Sequence, residues 1–396
     1  MINYNFNKKL LEVSPSPTVA FADRIRELKL KGEDVISLHT GDPDFDSPDI
    51  IKRSICKALK DGYNHYSDSQ GLPELRHEIT KFIYNIKKIS YQPAEILITA
   101  GAIHAYFVSI SALFNKGDEI IVFTPAWPTH LNYPRFLGIN VVEVECKIEN
   151  SFLPTIEMIE TAITSKTKGV VLNFPSNPTG AIADKKLVEQ IVYLAIKNNI
   201  YIISDEVYET IVDEGKIINY PAGVCEKARI ITISINSFSK SHALTGHRIG
   251  YIAANEVVIN QLKKLTQYSI TNTTTFIQKG LANVLNKHET ITACNKMVHK
   301  YRERNSLIEK TLLSSGLRFD FIKPLGGFYY FINPVDIKLD SISLSNKLLA
   351  EKNVAMVPGI VYGNSGNDFI RMTFAVSNED IVEGLKRLID FYKKNI

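Results

Sequence analysis

The chain has 396 residues, more than one compact core usually holds, so its length predicts about two or three domains. Hydrophobic residues make up 45% of the chain and charged residues 22%, which excludes a disordered chain and allows a sizeable core. Lysine and arginine total 46 against 42 acidic residues, and this small excess excludes the strongly basic surface that nucleic-acid binding requires.

The N-terminal residues and the cysteines bear on the cell compartment. Residues 1–10 are polar and contain no apolar signal core, and no run of about 18 apolar residues predicts a membrane span. The cysteines lie far apart, without the close spacing of zinc ligands or of a disulfide framework: Cys56, Cys146, Cys225 and Cys294. We therefore expect a cytoplasmic protein without a metal, a membrane or a nucleic acid as partner.

Apolar strands and amphipathic helices alternate from about residue 50. Helices are predicted at residues 20–30, 102–114 and 184–197. The predicted strands are residues 95–99, 119–123, 141–145, 169–174, 200–204 and 230–235. This alternation predicts an α/β fold in which helices cover both faces of a mostly parallel sheet.

The pattern changes after about residue 290. A long polar helix is predicted at residues 293–313, and a β-like run follows at 328–332. We interpret this part as a smaller α+β domain. The predicted organisation is an N-terminal segment (1–45) that packs with the small domain, a large cofactor-binding domain (46–290) and a small C-terminal domain (291–396).

The most informative stretch surrounds Lys240. This lysine follows an apolar strand, lies among small hydroxyl residues that include Ser237, and precedes Arg248 by eight positions. An amine in this setting can form a Schiff base with an aldehyde cofactor, while the hydroxyls and the guanidinium can bind its phosphate. Most single lysines are solvated surface residues, but the fixed offsets of these neighbours favour a cofactor site.

The stretch resembles the Schiff-base lysine signature of class I/II pyridoxal-phosphate-dependent aminotransferases, and the resemblance extends from about residue 14 to residue 391. It implies fold type I, with a mostly parallel, seven-stranded sheet sandwiched by helices and a smaller α+β domain. It also implies pyridoxal 5'-phosphate as cofactor and ping-pong transfer of an amino group between an L-amino acid and a 2-oxo acid. The enzyme would be a homodimer with shared active sites.

The resemblance assigns several residues to the cofactor ring. Asp205 ends a predicted strand, where a carboxylate is costly unless paired, and it matches the family's partner of the pyridine nitrogen. Tyr208 and Asn177 match donors to the ring oxygen, and Trp127 matches an aromatic residue that stacks on the ring and contacts substrate. The structural alternatives are a helix N-cap for Asp205, a turn for Asn177 and core packing for the two aromatic residues.

The resemblance also assigns the phosphate contacts. Gly101, Ala102 and Ile103 lie between a strand and a helix, where free backbone N–H groups favour a phosphate, although an ordinary turn is the alternative. Ile103 offers only its backbone, whereas many family members have a polar residue there. Ser237 and Arg248 complete this set. Tyr66 matches a catalytic tyrosine that reaches the partner subunit's phosphate across the dimer interface.

The predicted substrate contacts come from both the N-terminal and the C-terminal part of the sequence. Arg371 lies in an apolar β-like run and needs an anion partner; the resemblance makes it the clamp for the substrate α-carboxylate, and a structural ion pair is the alternative. Gly41 matches the segment that covers the substrate. Thr18 and His39 are candidates for the rim of the pocket, with a structural role favoured for His39.

In the implied reaction, Lys240 is displaced from the cofactor and moves the α-proton of the substrate. The side chain of the substrate is not readable, because no convincing Arg or Lys for a distal carboxylate stands out. The alternative functions are an amino-acid oxidase or hydroxylase that uses His39 as an extra acid or base, and a carbon–sulfur β-lyase. A non-catalytic cofactor-binding regulator is disfavoured because residues 1–45 are too short for a DNA-reading module.

Overall fold

The computed structural model describes residue 11 and residues 17–396 of the chain. The helices are α1 (Pro17–Leu30), α2 (Asp49–Lys60), α3 (Pro73–Lys87), α4 (Ala102–Leu113), α5 (Pro128–Phe136), α6 (Ile156–Ala162), α7 (Lys185–Asn198), α8 (Glu226–Ile231), α9 (Phe238–Ser241), α10 (Glu256–Ser269), α11 (Thr275–Ala282), α12 (His288–Ser314), α13 (Ser341–Lys352) and α14 (Asn378–Lys394). The strands are β1 (Ile36–Ser37), β2 (Ile96–Thr99), β3 (Glu119–Thr124), β4 (Asn140–Glu145), β5 (Thr167–Asn173), β6 (Tyr201–Asp205), β7 (Thr232–Ser237), β8 (Gly250–Ala253), β9 (Phe319–Phe321), β10 (Tyr329–Pro334), β11 (Val354–Ala355), β12 (Val357–Pro358) and β13 (Ile370–Thr373).

A seven-stranded sheet forms the centre of the fold, in the order β2-β8-β7-β6-β5-β3-β4. Only β8 runs antiparallel to its neighbours in this sheet, and the remaining strands are parallel. Helices cover both faces, because a connection between parallel strands must cross over one face of the sheet. The predicted α/β fold with a mostly parallel seven-stranded sheet is confirmed.

The central strands are apolar on both faces because each face is buried. In β5, Val170 and Leu172 pack into one core with α7, whereas Val171 packs into the opposite core with β7. Such continuous apolar runs are typical of buried parallel strands. They therefore mark the middle of the sheet in the sequence.

The predicted strand at residues 230–235 is wrong in its first part. Ile230 and Ile231 end helix α8, and β7 begins at Thr232. The hydroxyl of Thr232 donates to the carbonyl of Ala228 at 2.7 Å, a helix-type contact back along the chain. The error arose because a short apolar run does not by itself distinguish a strand from a buried helical turn.

A second sheet, in the order β12-β13-β10-β9, lies in the C-terminal part and is antiparallel throughout. Its core includes Tyr301 of α12 and Leu388 of α14. Strand β1 pairs in parallel with β11, so the start of the described chain lies against this part. The domain boundaries at residues 45 and 290 stay a prediction.

The helices and the possible metal ligands of the described residues concern a membrane and a metal ion as partners. None of their helices is long and apolar enough to cross a membrane. Their His, Cys, Asp and Glu side chains form no group of three or more that could hold a metal ion.

Candidate active site

A cavity of about 680 Å³ opens at the carboxyl ends of the central strands. Asn173, Asp205 and Ser237, the last residues of β5, β6 and β7, all line it. Carboxyl ends of parallel strands meet at one edge of a sheet, which is where α/β folds bind ligands. The cavity is therefore the candidate active site.

Most of the residues that the sequence singled out line this one cavity. They are Thr18, His39, Gly41, Ala102, Ile103, Trp127, Asn177, Asp205, Tyr208, Ser237, Lys240, Arg248 and Arg371. Gly101 lies directly behind it, against the side chain of Arg248. Tyr66 lies outside the cavity of its own chain and is 85% exposed.

Lys240 lies in the short helix α9, directly after β7. Ser237 begins this helix, and its hydroxyl accepts a hydrogen bond from the backbone N–H of Ser239 at 3.1 Å. The amine of Lys240 donates to the carbonyl of Gly41. Burial lowers the pKa of Lys240 to about 8, a shift that the carboxylate of Asp42 opposes and the guanidinium of Arg371 reinforces. At pH 7 roughly a tenth of the amine is therefore neutral, far more than for an ordinary lysine, and only the neutral form acts as a nucleophile or base.

The carboxylate of Asp205 has a histidine partner that the sequence did not reveal. Nε2 of His130 in α5 lies 3.0 Å from Oδ2 of Asp205, and His130 is almost fully buried. The indole of Trp127 stands at 90° to the His130 ring, with centroids 5.2 Å apart. Oδ1 of Asp205 accepts from the backbone N–H of Val207 at 3.3 Å. These contacts fix the orientation of the carboxylate at the cavity.

Arg371 is a buried cation with neutral partners. It lies in β13 and is 4% exposed. It donates to Oδ1 of Asn177 at 3.0 Å and to the carbonyl of His39 at 2.7 Å, and its Nε has no partner within the described residues. None of the described Asp and Glu side chains forms an ion pair with it, which argues against the structural ion pair. A buried guanidinium in this state is suited to an anionic ligand.

Tyr329 of β10 contacts both Tyr208 and Arg371, and the sequence did not single it out. Its hydroxyl lies 3.0 Å from that of Tyr208, and its ring centroid lies 4.1 Å from Cζ of Arg371. A side chain at Gly41 would come within 2.8 Å of the Tyr329 hydroxyl, so only glycine fits there. Burial raises the pKa of both phenols, which keeps them protonated and able to donate.

The other end of the cavity is suited to a phosphate. Helix α4 begins after Gly101, whose φ of +85° places its Cα against Arg248; a Cβ there would come within 2.7 Å of Nη2. Arg248 is held by the carbonyls of Ala100 and Thr245, at 3.1 and 2.9 Å. The hydroxyl of Ser237 lies nearby in the same cavity. Helix N–H groups, a guanidinium and a hydroxyl form a donor set that fits a phosphate dianion.

The contribution of Ile103 to this end is limited, as its residue type implies. Its side chain is 53% exposed and offers no polar atom. Only the backbone N–H at the start of α4 remains for an anion. The sequence alone was sufficient to see this departure.

Helix α1 forms the remaining wall. Thr18 lies on it, as do two cations that the sequence did not single out, Arg26 and Lys29. Burial lowers the pKa of His39 to about 4, with the charge of Arg371 as the next cause, so its ring is neutral at neutral pH. The ring edge packs on Phe21 with centroids 5.7 Å apart. His39 thus packs on α1 while lining the cavity, and its Nδ1 has no hydrogen-bond partner among the described residues. Its structural role stays a prediction.

Comparisons with known proteins show the family to which this chain belongs. Residues 33–388 match the family model described as aminotransferase class I and II. The chain is 36% identical over 385 residues to a probable aspartate/prephenate aminotransferase of Aquifex aeolicus, covering 96% of each protein. It is 35% identical to a (5-formylfuran-3-yl)methyl phosphate transaminase of Methanocaldococcus jannaschii, over 98% of this chain and all of the relative.

The likeness extends to the fold. An aspartate aminotransferase structure from Thermus thermophilus, solved with maleate, superposes with a TM-score of 0.93 at 32% identity and covers 98% of this chain and all of that one. The chain belongs to the class I and II aminotransferases. It is a pyridoxal-phosphate-dependent enzyme that transfers amino groups, and nothing in these comparisons favours the oxidase, hydroxylase or lyase alternatives.

Proposed function

We propose that the cavity binds pyridoxal phosphate on Lys240 and an α-amino acid on Arg371. The observation that carries this proposal is that one cavity is lined by an amine whose pKa is lowered to about 8 and by a buried guanidinium that has no acidic partner among the described residues. The first suits an aldehyde and the second suits a carboxylate. An amino acid bound to Arg371 would present its α-carbon inside the cavity.

Each remaining residue would then have a defined task. The cofactor, when bound, supplies a ring that withdraws electrons from the α-carbon of the substrate. Asp205, oriented by His130, provides the negative charge for the protonated ring nitrogen, and Trp127 provides a stacking face. Because the amide oxygen of Asn177 is used by Arg371, its NH₂ group is left to donate to the ring oxygen.

Lys240 would act as the base. Its amine donates a hydrogen bond to the carbonyl of Gly41. Two residues earlier in the same segment, the carbonyl of His39 accepts a hydrogen bond from Arg371. Lys240 would take the α-proton of the amino acid and return it to the cofactor's aldehyde carbon. Hydrolysis of the carbon–nitrogen bond by water would then release a 2-oxo acid and leave the amino group for a second oxo acid, which would accept it in the reverse half-reaction.

The substrate side chain is the open part of the proposal. The names of the relatives make aspartate the first amino acid to test. Arg26 and Lys29 line the cavity and could meet a distal carboxylate, although Arg26 already pairs with Asp23 at 2.8 Å. Val19 and Ile103 line the same cavity and would suit an apolar side chain.

We also propose a cytoplasmic homodimer with shared sites. The high exposure of Tyr66 outside its own cavity supports a role in the partner's site. The four cysteines are all unpaired, which supports a reducing compartment.

A half-reaction screen tests the enzyme proposal. Each of the common amino acids is added to the holoenzyme, and the absorption band of the bound aldehyde is followed together with oxygen uptake. We expect the band to disappear with some amino acids and to return on addition of a 2-oxo acid, without oxygen uptake. Borohydride reduction followed by peptide mass analysis should place the cofactor on Lys240. Oxygen uptake with ammonia release, or an adduct at another lysine, would contradict the proposal.

A further inference from the structure

Three ionisable side chains lie buried behind the candidate active site. Lys87, the last residue of α3, pairs with Glu206 and, at 2.7 Å, with Glu209. All three side chains are 2% exposed. We call them the buried triad. None of them lines the cavity, and the proposed reaction uses none of them.

The triad lies on the face of the sheet opposite to the cavity. Glu206 follows Asp205 and extends the pairing of β6, because its backbone N–H donates to the carbonyl of Ile235 at 2.9 Å. Consecutive residues of a strand point to opposite faces, so Asp205 faces His130 while Glu206 faces α3. Glu206 also accepts from the hydroxyls of Ser204 and Ser234, at 2.8 and 3.2 Å.

The two glutamates lie on either side of Tyr208. The backbone N–H of Glu209 donates to the carbonyl of Glu206 at 3.0 Å, which closes a tight turn around Val207 and Tyr208. Lys87 donates a hydrogen bond to Glu206 and forms an ion pair with Glu209 at 2.7 Å, although the Glu209 oxygens have no hydrogen-bond partner among the described residues. One ammonium from α3 therefore holds the turn that presents both Asp205 and Tyr208 to the cavity.

The composition of the triad is unusual for a purely stabilising cluster. Two carboxylates share one ammonium, and buried ion pairs seldom stabilise a fold more than neutral side chains of the same volume would. The neighbouring group is a phenol and not a second cation: the ammonium of Lys87 lies 4.8 Å from the ring centroid of Tyr220. A role in fixing geometry accounts for the triad better than a role in stability alone.

We propose that Lys87 is a positioning residue. It fixes the turn from Glu206 to Glu209, holds Asp205 and Tyr208 in place through this turn, and thereby sets the affinity for the cofactor. The inference rests on the proposed cofactor contacts of Asp205 and Tyr208. Because Lys87, Glu206 and Glu209 all belong to this chain, the affinity for the cofactor can be measured as a test in addition to enzyme turnover.

The first test compares two lysine variants. Lys87→Met keeps most of the stem and removes the charge. Lys323→Met is the control, because Lys323 also joins two carboxylates, Glu309 at 2.9 Å and Asp213 at 3.5 Å, but is 31% exposed and contacts neither Glu206 nor Glu209. The measurements are the dissociation constant of pyridoxal phosphate from the folded apo-protein, the absorption maximum of the bound cofactor, and urea unfolding.

We expect Lys87→Met to weaken cofactor binding roughly 10- to 100-fold, the cost of about one charge-assisted hydrogen bond, and to shift the absorption band. Lys323→Met should lower the unfolding midpoint without changing either cofactor readout. If Lys87→Met lowers only the midpoint, or if both variants weaken cofactor binding equally, the proposal is wrong. A wild-type protein that bound no pyridoxal phosphate would instead refute the proposed function.

A second variant separates positioning from stability. Lys87→Met combined with Glu206→Gln and Glu209→Gln removes all three charges, so no carboxylate is left buried without a partner. We expect this triple variant to unfold at a higher urea concentration than Lys87→Met and still to bind the cofactor weakly. Recovery of stability and cofactor affinity together would overturn the positioning role.

Discussion

The partners of Arg371 define what its substitution should do. Its guanidinium uses one nitrogen on Asn177 and another on the carbonyl of His39, so its geometry is fixed before a ligand arrives. Such preorganisation favours a planar carboxylate, which guanidinium binds by two parallel hydrogen bonds. Lysine keeps the charge but cannot form that fork.

We therefore expect Arg371→Lys to raise KM for the amino acid roughly 10- to 100-fold, since one charge-assisted hydrogen bond is worth about 1.5–3 kcal/mol. The rate constant kcat should change much less, because in its proposed role Arg371 would bind substrate and transition state alike. Steady-state kinetics with the cofactor band as control measures both. An unchanged KM would remove Arg371 from substrate binding.

The lowered pKa of Lys240 predicts a pH dependence of cofactor attachment. Only the neutral amine attacks an aldehyde, and burial places the pKa of this amine at about 8. Below that pH the amine is mostly protonated, so the rate should rise as pH increases towards about 8 and level off above it.

Stopped-flow mixing of apo-protein with pyridoxal phosphate, over a pH series, measures this rate. The control is a free lysine side chain in a peptide, whose amine titrates near pH 10.4 and whose rate should still rise above pH 9. A protein rate that continued to rise above pH 9 would show an ordinary, solvated lysine.

The sequence indicated the cavity residues that follow strands, and the structure explains why. Asp205 and Ser237 are the last residues of their strands, β6 and β7. Asn177 lies shortly after the end of β5, and Lys240 lies shortly after the end of β7. The parallel sheet therefore brings these residues to one edge. His130 and Tyr329 could not be found in this way. His130 reaches Asp205 only through the placement of α5, and Tyr329 only through the packing of the second sheet.

At the level of elements, helix α1 is the part whose contribution can be tested separately. It places Thr18 and Val19 on the cavity. It is anchored through Ile25, which is 1% exposed and packs in a small core with Val35 and Leu349. The helix thus links the wall of the cavity to the C-terminal part.

We expect Ile25→Ala to weaken the packing of α1 by about 2–4 kcal/mol, because it leaves a cavity in that core. The expected result is a higher KM for the amino acid and a nearly unchanged cofactor band. Leu30→Ala is the control, since Leu30 lies on the same helix and is 83% exposed. If both variants behave like wild type, α1 does not shape the substrate side of the cavity.

At the scale of the whole molecule, the periodicity of the sequence was sufficient for six of the seven central strands, but it missed β8 and placed the start of β7 too early. Strands buried on both faces, such as β5 and β6, contain continuous apolar runs, residues 170–172 and 201–203, and are easily recognised. The apolar residues of α8 continue directly into β7, so nothing in the local pattern marks the change. The pairing of β1 with β11 joins distant parts of the chain and leaves no local signal either.

The proposed sharing of sites between subunits yields a complementation test. Lys240→Ala removes the amine from one chain's cavity, whereas Tyr66→Ala removes a phenol that is exposed on its own chain. In a mixed dimer, one site would combine an intact Lys240 with an intact Tyr66 from the partner, and the other site would lack both. Each variant alone would have no intact site.

Equal amounts of the two inactive variants, unfolded and refolded together, should therefore recover about one quarter of the wild-type activity, because half of the dimers are mixed and half of their sites are intact. Each variant refolded alone is the control. Activity equal to the mean of the separate variants would show that Tyr66 does not reach across an interface, whereas recovery near one quarter requires a dimer in which each cavity uses both chains.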